Sequence, residues 1–243
     1  MIKYFVAAPF GNYLKYKSYS NVYPVTGTWT MKSRGGLIKR LWKIGTTLRY
    51  NRTYQGWTNK LGLPNPGILV GVKKTALNEI LSIGELESGD FKKIAEIVSD
   101  EQSLEINLSC PNIEHDSKLS WYDARLFTNS SKREFCIVKV SPLTTIDELK
   151  FLIEEIGFKQ IHCCNTLPVK EGGLSGKTLR PYVNKMISNI RDNWGESIEI
   201  IAGGGVEKYQ HVNDYLALGA NHISLGTICF TPWRVKSLIN KRD

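Results

Sequence analysis

The sequence predicts an α/β fold, a single-domain (β/α)8 (TIM) barrel that spans residues 1–243. Two observations favour this fold. Eight short apolar runs rich in β-branched residues alternate with segments of helical periodicity, which is typical of parallel strands covered by helices. A length of 243 residues and a hydrophobic share of 42% also suit one large core. An open doubly wound sheet is the alternative, because the first third of the chain is less regular.

The eight apolar runs are interpreted as the barrel strands in chain order. They cover residues 4–8, 21–27, 68–72, 104–109, 136–141, 160–165, 198–203 and 222–227. Between the later strands, Thr145 and Glu148 have the spacing of a capping box, and Gly157 is placed to end the helix that they begin. Residues 178–194 carry an apolar stripe that predicts a second helix, and a third runs to Gly219.

Positive charge is concentrated in the amino-terminal third of the chain. Thirteen of the 32 Lys and Arg precede Glu79, the first acidic residue, so residues 1–78 carry +13 and the remainder carries −4. Basic residues interleaved with aromatic ones occur at nucleic-acid and membrane surfaces. We favour a role in solubility or in attracting an anionic small molecule, and we expect neither nucleic acid nor a membrane as partner.

The cysteines and the apolar runs exclude several classes of protein. Five cysteines, an odd number without CxxC spacing, argue against a disulfide framework, a zinc site or an iron–sulfur cluster, so no metal is expected. No apolar run reaches the length of a membrane span, and the apolar segment at the start is too short for a signal peptide. We therefore expect a cytoplasmic protein.

Polar and glycine residues follow the predicted strands, where such barrels carry their chemistry. Glycines at 203–205 and the pair Gly226 and Thr227 end the last two strands, which predicts a phosphate site. Amides gather after other strands, and asparagine offers both a donor and an acceptor to a planar ring. These amides are Asn107 and Asn112 after the fourth strand, Asn165 after the sixth, and Asn59 and Asn65 in the turn at 58–67.

Lys139 and Cys110 each allow two interpretations. Lys139 in a buried strand needs an anionic partner, which is either Glu105 on the neighbouring strand or an electron-rich cofactor. Cys110 is either a small buried apolar residue or, among the nearby amides, a base that removes an acidic C–H proton.

Together these motifs resemble the dihydroorotate dehydrogenase family, flavin enzymes of pyrimidine synthesis. The resemblance covers about residues 55–230 and rests on the following segments in the family's order: NKLGLPN, INLSCPN, VKVSP, CNT, GGLSG, AGGGV and LGT. It implies FMN as cofactor and the oxidation of dihydroorotate to orotate. Cys110 would remove the C5 proton, hydride would pass from C6 to the flavin, and Lys139 would stabilise the reduced flavin.

The resemblance also implies the residues that bind each ligand. The substrate-binding residues would be Asn59, Gly62, Leu63, Asn107, Asn112, Asn165 and Thr166. The cofactor-binding residues would be Ala8, Thr28, Asn107, Lys139, Gly173, Gly204, Gly205, Gly226 and Thr227. A homodimer is the implied assembly, because soluble members of the family are often dimers.

Residues 1–55 are the divergent and basic part of the domain. Gly27 occupies the position of a family lysine that contacts both ligands, and Arg49 is left as the counterpart of a family arginine. Within this part, residues 36–45 alternate apolar and basic side chains in helical spacing. We interpret them as a barrel helix that packs on its strands, and an interfacial membrane helix is the alternative.

Two other functions stay open at this point. The substrate could be another dihydropyrimidine, although Asn112 favours dihydroorotate. A barrel without catalytic activity could instead bind an anionic partner through its basic third, but such a module has no physical need for Cys110 and Lys139. Fumarate, a nicotinamide-linked partner and a quinone are all open as electron acceptors.

Overall fold

A closed barrel of eight parallel strands is the centre of the molecule. The computed structural model describes residues 1–108 and 119–240. Its strands are β1 (Tyr4–Val6), β2 (Val22–Trp29), β3 (Arg49–Asn51), β4 (Gly56–Asn59), β5 (Ile80–Ile83), β6 (Leu104–Asn107), β7 (Cys136–Val140), β8 (Gln160–Cys163), β9 (Leu167–Val169), β10 (Gly172–Gly176), β11 (Glu199–Gly203) and β12 (His222–Leu225). The barrel contains β1, β2, β5, β6, β7, β8, β11 and β12 in chain order, and β12 pairs with β1 to close it. The predicted (β/α)8 barrel is confirmed.

The third predicted strand is wrong. Residues 68–72 belong to a helix, and the third barrel strand is β5, which pairs with β2 and β6. A five-residue apolar run has too few positions to separate a buried strand from a buried helix by periodicity. The helix forms here because Gly67, at φ +97°, turns the chain after the loop, and the following residues pack against β2 and β5.

The helices of the described part surround this barrel. They are α1 (Leu37–Thr47), α2 (Ile68–Lys74), α3 (Asp90–Ala95), α4 (Leu119–Asp123), α5 (Arg125–Thr128), α6 (Ile146–Lys150, continued as a π-helical turn over Phe151–Ile156), α7 (Arg180–Trp194), α8 (Tyr209–Ala217) and α9 (Pro232–Ile239). The capping box of α6 is confirmed, since Thr145 Oγ1 accepts from the Glu148 N–H at 3.2 Å and Glu148 Oε2 accepts from the Thr145 N–H at 2.8 Å. Gly157, at φ +95°, ends that helix as predicted.

A second sheet covers one side of the barrel mouth. It has four antiparallel strands in the order β3, β4, β10, β9. The chain enters it twice, first after β2 and again after β8, and Gly173 of β10 lies opposite Asn59 of β4. Two loops at the carboxyl end of the barrel therefore form one wall, which sequence periodicity did not predict.

Helix α1 is not the barrel helix that the sequence suggested. Its main contact is β4 of the small sheet, whereas α2 packs on β2 and β5 and takes the place of the barrel helix. The interpretation of residues 36–45 as a helix on the barrel strands is therefore wrong. The helix itself forms, but it lies beside the barrel mouth.

The barrel interior changes from apolar to polar along the strands. Near the amino end it is filled by Phe5, Val25, Ile80, Phe135, Ile137 and Ile201. The next inward-facing positions carry Ser82, Glu105, Lys139 and His162, all buried. Parallel strands present these groups at the carboxyl end of the barrel, so the polar layer is the floor of any cleft there.

The close approach of α2 to β2 provides a test of the assignment of residues 68–72 to a helix that packs on the barrel. A Cβ at Gly71 would lie 2.7 Å from two atoms of the Trp29 indole, which is buried and held by a hydrogen bond to Thr26 Oγ1. Gly71→Ala is therefore expected to destabilise the protein by about 1–2 kcal/mol, because overpacking outweighs a gain in helix propensity of about 1 kcal/mol.

The matched control is Gly45→Ala on α1, where nothing lies within 4 Å of the added Cβ. It is expected to raise the free energy of unfolding by up to about 1 kcal/mol. Urea unfolding of both variants measures the difference. Equal effects at the two positions would contradict the packing of α2 against Trp29.

Candidate active site at the carboxyl end of the barrel

Two adjoining cavities open where the barrel strands end. The first encloses about 980 Å³ counting its open mouth, and the second about 730 Å³. Ala8, Asn59, Lys139 and Asn165 are among the residues that line both, so the two cavities form one cleft.

The cleft collects nearly all the predicted site residues of the described part. Gly204, Gly205, Gly226 and Thr227 line the first cavity, and Thr28, Gly62, Leu63 and Asn107 line the second; Ala8, Asn59, Lys139, Asn165 and Thr166 line both. Gly173 lines neither, but its carbonyl accepts a hydrogen bond from Asn59 Nδ2 at 3.3 Å. Cys110 and Asn112 lie outside the described residues.

Amide and hydroxyl side chains form a connected wall of the second cavity. Asn165 Nδ2 donates to Asn107 Oδ1 at 3.0 Å, and Asn107 Nδ2 donates to Thr28 Oγ1 at 3.1 Å. Thr28 Oγ1 lies 3.0 Å from Ser82 Oγ, which donates to Glu105 Oε1 at 2.9 Å. These hydrogen bonds hold the amides in fixed orientations. A site that recognises a polar ring by hydrogen bonds requires such fixed orientations.

The first of the two interpretations of Lys139, an ion pair with Glu105, is seen directly in the structure. Its Nζ lies 3.9 Å from Glu105 Oε1, and both side chains are buried, so the predicted ion pair is confirmed. Lys139 also lines both cavities. The pairing with Glu105 therefore does not remove it from the cleft.

Glu105 is held as a carboxylate under this cleft. His162 Nδ1 lies 2.7 Å from Glu105 Oε2. Burial alone would raise the pKa of Glu105, but the positive charge of Lys139 and the hydrogen bond from His162 lower it to about 2. Burial, with the charge of Lys139, lowers the pKa of His162, so we assign a neutral imidazole that donates to the carboxylate.

The glycine turn after β11 is required by packing as well as by any ligand. Gly204 and Gly205 have φ values of +123° and +67°, in the region that favours glycine. A Cβ on Gly204 would lie 2.9 Å from Leu179 Cβ, and a Cβ on Gly205 would lie 2.7 Å from Arg180 Cγ. The turn therefore brings bare backbone to the cleft beside the start of α7.

Sequence reasoning missed Arg40, which is half-buried and lines the second cavity from α1. Its Nε and Nη2 donate to the Pro64 carbonyl at 3.2 and 2.9 Å, and its Nη1 donates to Tyr13 Oη at 3.0 Å. A guanidinium has five N–H donors, so two stay available. The available signal is the helical spacing of residues 36–45, but that spacing fits a helix on the outside of the barrel equally well.

Two expectations about the divergent part are corrected or explained by this geometry. Arg49 does not line the cleft; its Nη1 donates to the Gly45 and Leu48 carbonyls at 2.8 Å and caps α1. Gly27 lines the second cavity, and a Cβ there would lie 2.6 Å from the Ser82 carbonyl oxygen. No side chain fits at this position in the present backbone.

The charge of the cleft is positive. Lys139 and Arg40 line the second cavity, and none of the described residues that line either cavity is Asp or Glu. The first cavity also has an apolar side, with Phe10, Ile44, Leu48, Leu61 and Phe230. Such a cleft suits an anionic ligand next to a planar apolar group.

Comparison with known proteins places the chain in a family. The family model described as dihydroorotate dehydrogenase matches residues 44–241. The dihydroorotate dehydrogenase B (NAD(+)) catalytic subunit of Staphylococcus carnosus is 28% identical over 226 residues, which cover 80% of this chain and 73% of that protein. The protein of the same name from Bacillus pumilus is 30% identical over 216 residues, covering 76% of this chain and 69% of that protein.

A solved structure shows the same fold. The dihydroorotate dehydrogenase of Eimeria tenella in complex with ferulenol aligns with a TM-score of 0.73 at 18% identity, covering 96% of this chain and 78% of that one. No helix in the described ranges is long and apolar enough to cross a membrane. Because the family model matches most of this chain, the chain belongs to the dihydroorotate dehydrogenase family.

Proposed function

We propose that this protein oxidises dihydroorotate to orotate, the reaction named in its relatives, with FMN as cofactor. The observation that carries the proposal is the cleft at the barrel mouth. It joins Lys139 and Arg40 to the amides of Asn59, Asn107 and Asn165, and no acidic residue of the described part lines it. Dihydroorotate has alternating N–H and C=O groups on its ring, which can pair with these amides, and a carboxylate, which can pair with a cation.

The first cavity fits FMN in composition. Members of the family are flavoenzymes, and FMN when bound supplies the acceptor for two electrons. The bare backbone of Gly204 and Gly205, with Gly226 and Thr227, would hold the phosphate. Ala8, Lys139 and the Asn59–Gly173 contact would border the flavin ring, and the apolar side of the cavity would exclude water from that ring.

The second cavity fits the substrate. Asn59, Asn107, Asn165 and Thr166 would bind the ring, together with Asn112, and the backbone of Gly62 and Leu63 would approach it. Cys110 would act as the base that removes the C5 proton; it follows the end of β6 at Asn107, which lines this cavity. Lys139 would keep a positive charge where negative charge develops.

The proposal is tested by an anaerobic absorbance spectrum of the FMN-loaded protein before and after addition of dihydroorotate. The expected result is bleaching of the flavin band. In Cys110→Ala the rate of bleaching should fall by roughly 10²–10⁴, the usual contribution of a general base. Burial raises the pKa of Cys136 to about 12, so Cys136→Ala is the matched control that should keep its rate.

The other outcomes reassign the reaction. Bleaching by dihydrouracil and not by dihydroorotate would make another dihydropyrimidine the substrate. A bound flavin that neither compound reduces would contradict oxidation of either ring.

In the proposed role the protein works in the cytoplasm as one domain over residues 1–243, in de novo pyrimidine synthesis.

A further inference from the structure

His162 belongs to the buried charged layer beneath the cleft and also borders the first cavity. It lies on β8 in register with Lys139 of β7, and it is buried. Its Nδ1 lies 2.7 Å from Glu105 Oε2. Glu105 lines neither cavity, whereas His162 and Lys139 both line the first. The imidazole therefore connects the carboxylate below the cleft with the cavity above it.

The second ring nitrogen of His162 lies against the bare backbone of β11. A Cβ on Gly203 would lie 2.8 Å from His162 Nε2 and 2.8 Å from Ser224 Cβ. The φ of Gly203 is outside the left-handed region, so its backbone conformation does not require glycine. Glycine is required at this position by the space that the imidazole and Ser224 occupy. All three residues line the first cavity.

The carboxylate of Glu105 determines which ring nitrogen carries the proton. An ionised carboxylate only accepts hydrogen bonds, so neutral His162 donates from Nδ1 and keeps a lone pair on Nε2. Within residues 1–108 and 119–240, no group donates a hydrogen bond to Nε2. An imidazole in this state can take up one proton at Nε2, and a carboxylate at its other nitrogen favours that uptake.

The groups that face His162 from the neighbouring strands leave it as the one that can change its charge. Glu105 and Lys139 already form an ion pair of balanced charge. Cys164 also lines the first cavity, but burial raises its pKa to about 12, so it stays a neutral thiol. The neighbouring positions of β11 and β12 are glycine and serine. Burial, with the charge of Lys139, lowers the pKa of His162, so His162 is neutral before charge enters the cavity.

We propose that His162 takes up one proton at Nε2 when the cofactor in the first cavity is reduced, and releases it when the cofactor is reoxidised. A hydride carries two electrons and one proton, so its transfer adds one negative charge to the cavity. The proton that His162 takes from solvent adds one positive charge, and no other bond forms or breaks. Lys139 already carries its proton and cannot make this change. The inference rests on FMN as the cofactor, but it holds whichever compound reduces the FMN.

The first test is the midpoint potential of the bound FMN, measured electrochemically between about pH 6 and 8 without dihydroorotate. The wild-type potential should fall with pH at the slope of two protons per two electrons, and His162→Asn should show half that slope. Asparagine keeps an N–H donor near the position of Nδ1 for Glu105 but has no counterpart of Nε2. Equal slopes in the two proteins would overturn the proposal.

His222→Gln is the matched control. His222 is also a buried histidine paired with a carboxylate, since its Nε2 lies 2.6 Å from Glu199 Oε1, but it lines neither cavity. Glutamine keeps a donor for Glu199, and the slope of this variant should equal that of the wild type. A halved slope in both variants would show that loss of any buried histidine has this effect, and would contradict a specific role for His162.

Nitrogen NMR of the histidine rings tests the wild-type protein without relying on a variant. The Nε2 signal of His162, identified by its loss in His162→Asn, should change from that of an unprotonated to that of a protonated nitrogen when the FMN is reduced at neutral pH. An unprotonated Nε2 in both states would overturn the proposal while leaving the cofactor in place. A protein that binds no FMN would contradict the proposed function itself, so the two failures are distinguishable.

Discussion

Replacing Arg40 by glutamine is expected to weaken the binding of orotate and dihydroorotate by about ten- to a hundred-fold. Arg40 and Lys139 are the two lysine or arginine side chains of the described part that line the second cavity, and Lys139 is already paired with Glu105. Arg40 therefore has the charge best placed to meet a substrate carboxylate. A hydrogen bond to a charged group contributes about 1.5–3 kcal/mol, which corresponds to that loss of affinity.

The measurement is titration of the flavin absorbance of FMN-loaded protein with orotate and with uracil, which lacks the carboxylate. Arg40→Gln should lose affinity for orotate and keep its affinity for uracil. Lys43→Gln is the matched control, because Lys43 lies on the same helix and donates to the Lys60 carbonyl but does not line the cleft.

Two results would count against this role. An equal loss for orotate and uracil would mean that Arg40 only supports the turn through its bonds to Pro64. Unchanged affinity for both would mean that the carboxylate binds elsewhere. Neither result depends on whether dihydroorotate is oxidised, so a failure here is distinguishable from a failure of the proposed reaction.

Much of the barrel was predictable because its signals are local. The capping box at Thr145 and the glycine stop at Gly157 act within one helix, and the polar ends of the strands at Asn107, Lys139 and Asn165 follow from strand order alone. The Lys139–Glu105 pair was predictable because β6 and β7 are neighbours in a parallel barrel.

The rest of the site was not predictable because it depends on contacts between distant loops. The second sheet pairs strands of three to five residues, and Asn59 meets Gly173, 114 residues later. Arg40 was missed for the same reason: its role follows from where α1 packs, and the amphipathic pattern of α1 fits a helix on the barrel equally well. The short run at 68–72 failed because periodicity alone was ambiguous there.

Replacing Glu105 by glutamine is expected to lower the free energy of unfolding at neutral pH by about 3 kcal/mol. The variant keeps the shape of the side chain but removes the negative charge that faces the buried Lys139, and removing one charge of a buried ion pair is costly. Urea unfolding of the flavin-free protein measures the change. Glu134→Gln is the control, since Glu134 lies closer to its partner Lys3, at 3.0 Å, than Glu105 lies to Lys139.

The control should change the free energy of unfolding by less than about 1 kcal/mol despite its shorter distance, because water screens an exposed pair. The side chains of Lys3 and Glu134 are 29% and 55% exposed, whereas those of Lys139 and Glu105 are 8% and 1% exposed. Similar losses in Glu105→Gln and Glu134→Gln would contradict burial as the source of the effect.

The same carboxylate makes the stability of the protein depend on pH in the acid range. The pKa of Glu105 is about 2 in the folded protein and 4.5 as its ordinary value, so the folded state favours the ionised form. Its contribution, about 3 kcal/mol, is complete above pH 4.5 and is lost as the pH falls from 4.5 toward 2, because the unfolded chain then binds the proton first. Glu105→Gln has no such group, so its stability should fall less steeply over that range. Parallel curves for the two proteins would show that the carboxylate is not held ionised beneath the cleft.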